Sequence, residues 1–241
     1  MKKIKYLLYK YKILNIIILN GIRLNIKNLH YHKNELLKLI SGKYEIGENE
    51  IMKETLSKDD TLLELGTGLG YNSIFAKKFL CKNVYTFEGN PELLPIIKEN
   101  TRLNNVSINV SNKIVVVGEH KETMSFNVAQ HYTGSSIGEL DSQTTLKNTY
   151  KIETVTINEL ITQYAPTYFM CDIEGGEINI FNDCRFLKDS TINKILIELH
   201  PRVLGEKKTL ELINNIVNEG YELRFDKYPK KYCFFTRTNT N

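Results

Sequence analysis

Cys171-Asp172-Ile173-Glu174-Gly175-Gly176-Glu177 places three carboxylates directly after an apolar run, and His200 follows Glu198 at the end of another. Asp172 closes its predicted strand, Glu174 comes two residues later on the same side, and Glu177 opens a predicted helix. Carboxylates so placed can take a proton from a reacting hydroxyl. They can also hold a hard ion such as Mg²⁺ through oxygen alone, and Asp172 with Glu174 is then the candidate pair. His200 could orient an acceptor or take its proton. Acids at a helix start also complement the helix dipole, so simple capping is the competing use.

A second chemical signal is the turn Glu64-Leu65-Gly66-Thr67-Gly68-Leu69-Gly70-Tyr71-Asn72. Glycines between a strand and a helix let the backbone approach a ligand that a Cβ would exclude. A dinucleotide fingerprint needs GxGxxG, but Tyr71 stands where its third glycine belongs, and the GK[ST] ending of a phosphate loop is missing. The spacing resembles the first motif of class I S-adenosylmethionine methyltransferases, whose loop wraps an amino acid and a ribose. On this reading Glu64, Gly66, Thr67, Gly68, Asn72 and Asp172 approach the cofactor. Glu88, followed by Gly89, ends the next apolar run, where a carboxylate can accept both ribose hydroxyls.

The elements that must position these groups follow a strand and helix alternation. Expected strands cover Thr61–Leu65, Asn83–Phe87, Lys113–Val117, Thr167–Asp172 and Lys194–Glu198. Expected helices cover Ile74–Leu80, Pro91–Asn104, Ile157–Gln163, Glu177–Asn182 and Lys207–Asn218. This order predicts an α/β fold, mostly parallel with helices on both faces, and the resemblance of its glycine turn implies the Rossmann-like class I methyltransferase type. Tyr221–Phe225 and Tyr232–Thr236, joined by the turn-rich DKYPKK, should add an antiparallel C-terminal hairpin. Residues 1–55 break the alternation and read as a small N-terminal cap of helices and a hairpin turning at Asn20-Gly21, leaving 56–241 as the methyltransferase domain. The polar stretch Glu119–Lys151 should lie above the strand ends, where open α/β sheets bind ligands. There His131, Tyr132, Ser135 and Ser136 could line an acceptor pocket, or form an exposed surface hairpin.

Four blocks together resemble the FkbM family of methyltransferases, over about Gly42 to Phe235. They are the glycine loop, TFEGNPELLPIIKENTRLNNV with its acidic-Asn-Pro start and Asn-rich helix end, YFMCDIEGGEINIF, and ILIELHP. The chain departs from the family at Glu64, at Thr67-Gly68-Leu69 and at Gly89, where Asp, a central Ala-Asn and Pro are usual. The resemblance implies S-adenosylmethionine as cofactor and O-methyl transfer to a hydroxyl of a sugar or other small metabolite. It makes Asp172, Glu174 and His200 the catalytic candidates. Tyr44, His131, Ser135 and Glu198 are candidates for the acceptor side, and Tyr44-Glu45 matches a family Tyr-Glu pair able to close over the cofactor.

Composition bounds the alternatives. The chain of 241 residues carries 32 Lys+Arg against 28 Asp+Glu, for a net charge of +4. The basic residues are scattered, which makes a nucleic-acid partner a poor expectation. Methylation of a ribose 2′-hydroxyl stays open as the second enzymatic reading, and a non-catalytic binding module on the same fold as the third. The longest apolar stretch near the start, Ile16–Leu19, is far short of the ~20 residues of a membrane span. No small-residue cleavage site follows it, so no signal peptide is expected. Cys81, Cys171, Cys184 and Cys233 are widely spaced and read as buried free thiols of a cytoplasmic protein. His30 and His32 in HYH have no third ligand at metal-site spacing and read as a solvated helix face.

Overall fold

A computed structural model of the chain describes residues 9, 15–27, 33–119, 122–131, 134–137, 144–224 and 231–238. The HYH segment, Tyr132, Phe225 and most of the DKYPKK turn lie outside these residues.

Strands β1 (Ile16–Leu19) and β2 (Ile22–Asn25) form the hairpin expected at Asn20-Gly21. Both turn residues have positive φ, 45° and 79°, as a two-residue turn matched to strand twist requires. Helices α1 (Lys33–Ser41) and α2 (Ile46–Thr55) follow. The main alternation then runs β3 (Thr61–Leu65), α3 (Tyr71–Phe79), β4 (Asn83–Phe87), α4 (Leu94–Leu103) and β5 (Asn109–Ser111). Next come β6 (Ile114–Val116), β7 (Thr123–Ala129), β8 (Ser136–Ile137) and β9 (Leu146–Thr156). The chain continues through α5 (Ile157–Tyr164), β10 (Tyr168–Cys171), α6 (Glu177–Phe181) and β11 (Lys194–Glu198). It finishes with α7 (Pro201–Leu204), α8 (Glu206–Asn218), β12 (Tyr221–Arg224) and β13 (Tyr232–Arg237).

The main sheet has seven strands in the order β12-β13-β11-β10-β3-β4-β5. All neighbours are parallel except at β13, which runs against both β11 and β12. Strand order reverses between β3 and β10, and a crevice opens beyond their C-terminal ends, the usual ligand position in such sheets. Burial on both faces explains the nearly unbroken apolar strands. Tyr168 and Met170 of β10 join one core cluster with Leu62, Ile74 and Ile97. Phe169 and Cys171 join the other with Leu63, Phe181, Leu212 and Ile216. The hairpin and α2 contribute Ile22, Leu24, Ile51 and Met52 to the first cluster, so the N-terminal segment completes one face of the sheet.

The sequence reading needs correction around residue 113. The expected strand Lys113–Val117 exists as β6, but it pairs with β9 in a separate sheet of order β6-β9-β7-β8. The edge of the main sheet is instead β5, whose polar Asn-Val-Ser gave no apolar signal. The Glu119–Lys151 stretch supplies much of the second sheet, with its own small core of Ile114, Phe126, Val128 and Ile152. All four cysteines are buried and unpaired.

The N-terminal ends of three main strands are tied together by Asp60. It accepts from Ser57 N and Oγ, Thr167 Oγ1 and Lys194 Nζ, at 2.7, 2.9, 2.8 and 2.8 Å. Burial works to raise its pKa, but Lys194 and the hydrogen bonds outweigh this and hold the carboxyl below its ordinary value. Asp60→Ala should therefore cost about 2–4 kcal/mol at neutral pH, read from urea unfolding. Because the folded pKa is lowered, that contribution is present above the unfolded Asp value and disappears as pH falls through the folded one. Wild type and variant should converge in acid.

Candidate active site

The crevice is built from loops that follow three adjacent parallel strands. After β3 the chain turns through Gly66 at φ 90°, and Gly66 N donates to Phe87 O at 3.0 Å. Across the strand-order reversal, Asp172 N donates to Leu65 O at 3.0 Å. A Cβ on Gly66 would collide with the Asp172 carbonyl, so only glycine lets the two loops lie side by side. From β4, Glu88 reaches under the glycine loop. Its Oε2 accepts from Gly68 N at 2.8 Å and its Oε1 from Asn90 N at 2.7 Å. Each oxygen keeps a further acceptor position, so two ribose hydroxyls can still be received.

These loops border a cleft that, counted together with the open solvent at its mouth, spans about 1010 Å³. Gly66, Thr67, Gly68, Asn72, Glu88, Gly89 and Asp172 line it, as do Tyr44, Glu45, Glu174 and Ser135. Glu64, His131, Glu198 and His200 do not. Glu64 lies beneath the loop, 1% exposed, and accepts from Ser73 Oγ and, at 2.7 Å, from Thr86 Oγ1. It ties α3 to β4 and is not among the residues that line the cleft. Glu198 pairs with Lys231, and Ser135 Oγ accepts from Ala129 N at 3.0 Å.

The second sheet contributes walls that sequence reasoning missed. Phe126 of β7 and Ile137 of β8 face the cleft with Ile114 and Val115 of β6. The Phe126 ring sits where a Cβ on Gly89 would fall, so glycine after the acid makes room for it. The alternation of Met124, Phe126 and Val128 was the available signal, obscured by the polar residues between them.

The acidic turn has its own internal support. Glu177, 0% exposed, accepts through Oε1 from Ile173 N at 3.0 Å, Gly175 N at 3.2 Å and His200 Nδ1 at 3.0 Å. Glu174 is held at φ 54°, a left-handed conformation uncommon outside glycine. His200 Nδ1 faces Glu177, and its Nε2 faces Glu174 and Asp172, 3.6 and 3.7 Å away. Burial works to lower the His200 pKa, but the Glu177 hydrogen bond and surrounding carboxylates raise it overall. Among the described residues, potential metal ligands gather in two sets, Asp172-Glu177-His200 and Glu45-Glu48-Asp172. Glu174, paired with Asp172 in the sequence reading, is in neither set.

The Methyltransferase FkbM domain matches residues 66–223 of this chain. The chain belongs to the FkbM methyltransferase family. It is accordingly an S-adenosylmethionine-dependent methyltransferase with an α/β fold, and the family implies S-adenosylmethionine as methyl donor. A Pyrococcus furiosus methyltransferase is similar at 15% identity and TM-score 0.49, with 98% of each chain covered. M. jannaschii TYW2 in complex with AdoMet is similar at 14% identity and TM-score 0.45, covering 92% of this chain and 86% of that one. A ribosomal protein L11 methylase from Lactobacillus delbrueckii gives 11% and 0.47, covering 89% and 84%. No curated protein matches the chain in sequence. Among the described residues no helix is long and apolar enough to cross a membrane.

Burial drives the carboxyls of Glu64 and Glu88 up to about 7, and that of Glu45 up to about 8. A carboxyl with a raised folded pKa contributes stability that is complete below its unfolded value and lost as pH rises through the folded one. The protein without ligand should therefore melt at a lower temperature near pH ~8 than near pH ~6. Glu64→Gln, which keeps an oxygen for Ser73 and Thr86, should flatten this slope in differential scanning calorimetry.

Proposed function

We propose that the protein transfers the methyl group of S-adenosylmethionine to a hydroxyl of a sugar or other small metabolite. The observation that supports this reading is the Glu177–His200 pair, which turns His200 Nε2 towards Asp172 and Glu174 at the edge of the cleft, able to take a proton when the ring is neutral with Nδ1–H on Glu177. When bound, the cofactor supplies an electrophilic methyl group on a sulfonium, whose thioether leaves without needing a proton. What remains for the protein is alignment and removal of the hydroxyl proton.

Gly66, Thr67, Gly68 and Asn72 line the methionine side of the cleft, and Glu88 with Gly89 the ribose side. Asp172 stands between cofactor and acceptor, where its carboxylate can align the hydroxyl. His200 accepts the proton at Nε2 while Glu177 holds Nδ1–H, with Glu174 beside it able to stabilise the resulting imidazolium. Tyr44, Ser135 and Ser136 border the opening and form the acceptor side, with Glu198 and His131 set further back. Oxygen donors around Asp172 also suit Mg²⁺ as an aid to deprotonation. The four buried thiols support a reducing, cytoplasmic location.

Incubation of metabolite, glycan and RNA extracts with methyl-labelled cofactor, followed by mass spectrometry, tests the acceptor class. Label in sugar-containing or other small hydroxyl compounds is expected; label in RNA alone would overturn the proposal. Asp172→Asn should lower turnover by about 100-fold or more without lowering the melting temperature. Wild-type turnover should rise with pH through a value above the ordinary histidine range. His200→Ala should lose that limb, and an unchanged profile would remove His200 as the base.

A further inference from the structure

The carboxylates around Asp172 outnumber the cations near them. Glu45, Glu48, Asp172, Glu174, Glu177 and Glu198 converge on a region whose basic side chains, among the described residues, are His200 and Lys231. Both are engaged, His200 with Glu177 at 3.0 Å and Lys231 with Glu198. Glu48 is 1% exposed and neither of its oxygens receives a hydrogen bond of normal geometry, its polar neighbours being the Glu45 and Glu198 carboxyls and the Tyr232 hydroxyl; Asp172 Oδ1 likewise receives none, with His200 Nε2 3.7 Å away. A buried carboxylate without a donor is costly, and a bound cation removes that cost where the backbone does not.

We propose that Glu45, Glu48 and Asp172 form a binding site for a hard divalent cation of the Mg²⁺ or Mn²⁺ kind. One ligand oxygen from each residue lies within 4.8 Å of the others, close enough to surround one ion. The set is all oxygen, which suits Mg²⁺ and Mn²⁺ over softer metals. The other cluster has an unpartnered oxygen of its own, Glu177 Oε2, but its third ligand is the His200 nitrogen, which a hard cation favours less than oxygen, and Glu177 Oε1 already serves two backbone N–H groups and His200. The chosen set joins two parts of the chain: Glu45 and Glu48 come from the start of α2, and Asp172 from the end of β10. An ion there would fix the N-terminal segment over the cleft beside the position of the acceptor oxygen. Its use in lowering the pKa of that hydroxyl rests on the hydroxyl-acceptor reading; the binding site does not.

Titration of the full chain with Mn²⁺, followed by loss of the free-ion electron paramagnetic resonance signal, should show one bound ion that Mg²⁺ displaces. Glu48→Gln should weaken binding by about tenfold or more, while His200→Ala leaves it within a small factor. Glu48→Gln removes a buried ionisable group from among other acids, so a melting temperature at or above wild type will show that it folds. Absence of Mn²⁺ binding, binding unchanged by Glu48→Gln, or binding lost in His200→Ala would each overturn the site. Stabilisation by methylammonium but not by Mn²⁺ would overturn it too, in favour of an ammonium group as occupant. Hydroxyl methylation that persists in chelator without bound Mn²⁺ overturns the cation site and leaves the transferase reading standing. Bound Mn²⁺ in a chain that methylates no hydroxyl keeps the site and overturns the acceptor class.

Discussion

The close approach of Gly66 to the Asp172 carbonyl is the constraint on which the rest of the site depends. Parallel pairing sets Leu65 opposite Cys171, so the chains leaving β3 and β10 depart side by side. With no Cβ between them, the cofactor loop and the acidic loop share one wall, and Asp172 stands at the edge of the glycine cradle. A side chain at position 66 would force the glycine loop and the acidic loop apart, so the shape of the cleft depends on a missing atom. The neighbouring strand adds Glu88, whose bonds to Gly68 N and Asn90 N fix the loop from the other side.

That geometry gathers acidic groups where water is scarce. Glu48 and Asp172 are pushed well above the ordinary carboxylate range, chiefly by burial and then by one another's neighbours. A fold selected for stability alone would not collect such groups, and the cost is local to the C-terminal ends of the strands. At their N-terminal ends, among the described residues, two buried or half-buried charged groups are instead well matched. Asp60 is saturated by donors, and the Arg237 guanidinium donates to Leu187 O, Ser190 O and Ile192 O and to the Tyr221 hydroxyl. One end of the sheet holds the structure together, while the other carries the strain of function.

How much of this was legible in the sequence follows from whether each signal is local. The central strands and their helices were legible because burial on both faces leaves apolar runs, and the C-terminal hairpin because turn residues separate two such runs. The glycine loop, Glu88 and the DIEGGE turn were legible as residues. Their partners were not, since Glu177 bonding His200 joins positions 23 apart in the chain. The strand β5 escaped because an edge strand of three half-exposed residues has no apolar pattern. Glu64 looked like a ligand-binding acid because it precedes the glycines, yet strand alternation turns it inward to Ser73 and Thr86. Glu48 escaped because an acid in an amphipathic helix normally faces water, and only the packing of α2 against β13 buries it.

Tyr71 shows how a residue that excludes one function can supply another. It occupies the place of the third glycine in a dinucleotide loop, where a small residue would allow close packing of helix and strand. Here its hydroxyl accepts from Asn20 Nδ2 at 2.9 Å and donates to Asn49 Oδ1 at 3.0 Å. Asn49 Nδ2 in turn donates to Asn72 Oδ1 at 2.8 Å, and Asn72 Nδ2 to Glu45 Oε2 at 3.1 Å. The hairpin, α2 and the start of α3 are thereby joined in one chain of hydrogen bonds that ends on a carboxylate in the cleft. The Asn-rich end of α4 repeats the device, with Asn100 and Asn104 bonding the backbone of β2 at Asn25 and Arg23, and Asn100 also holding Leu69 O. The N-terminal segment is therefore built into the cofactor loop instead of resting on it. A charge change at Glu45, whether from a proton or a bound cation, acts at one end of the same hydrogen-bond chain that fixes Asn72 and Tyr71.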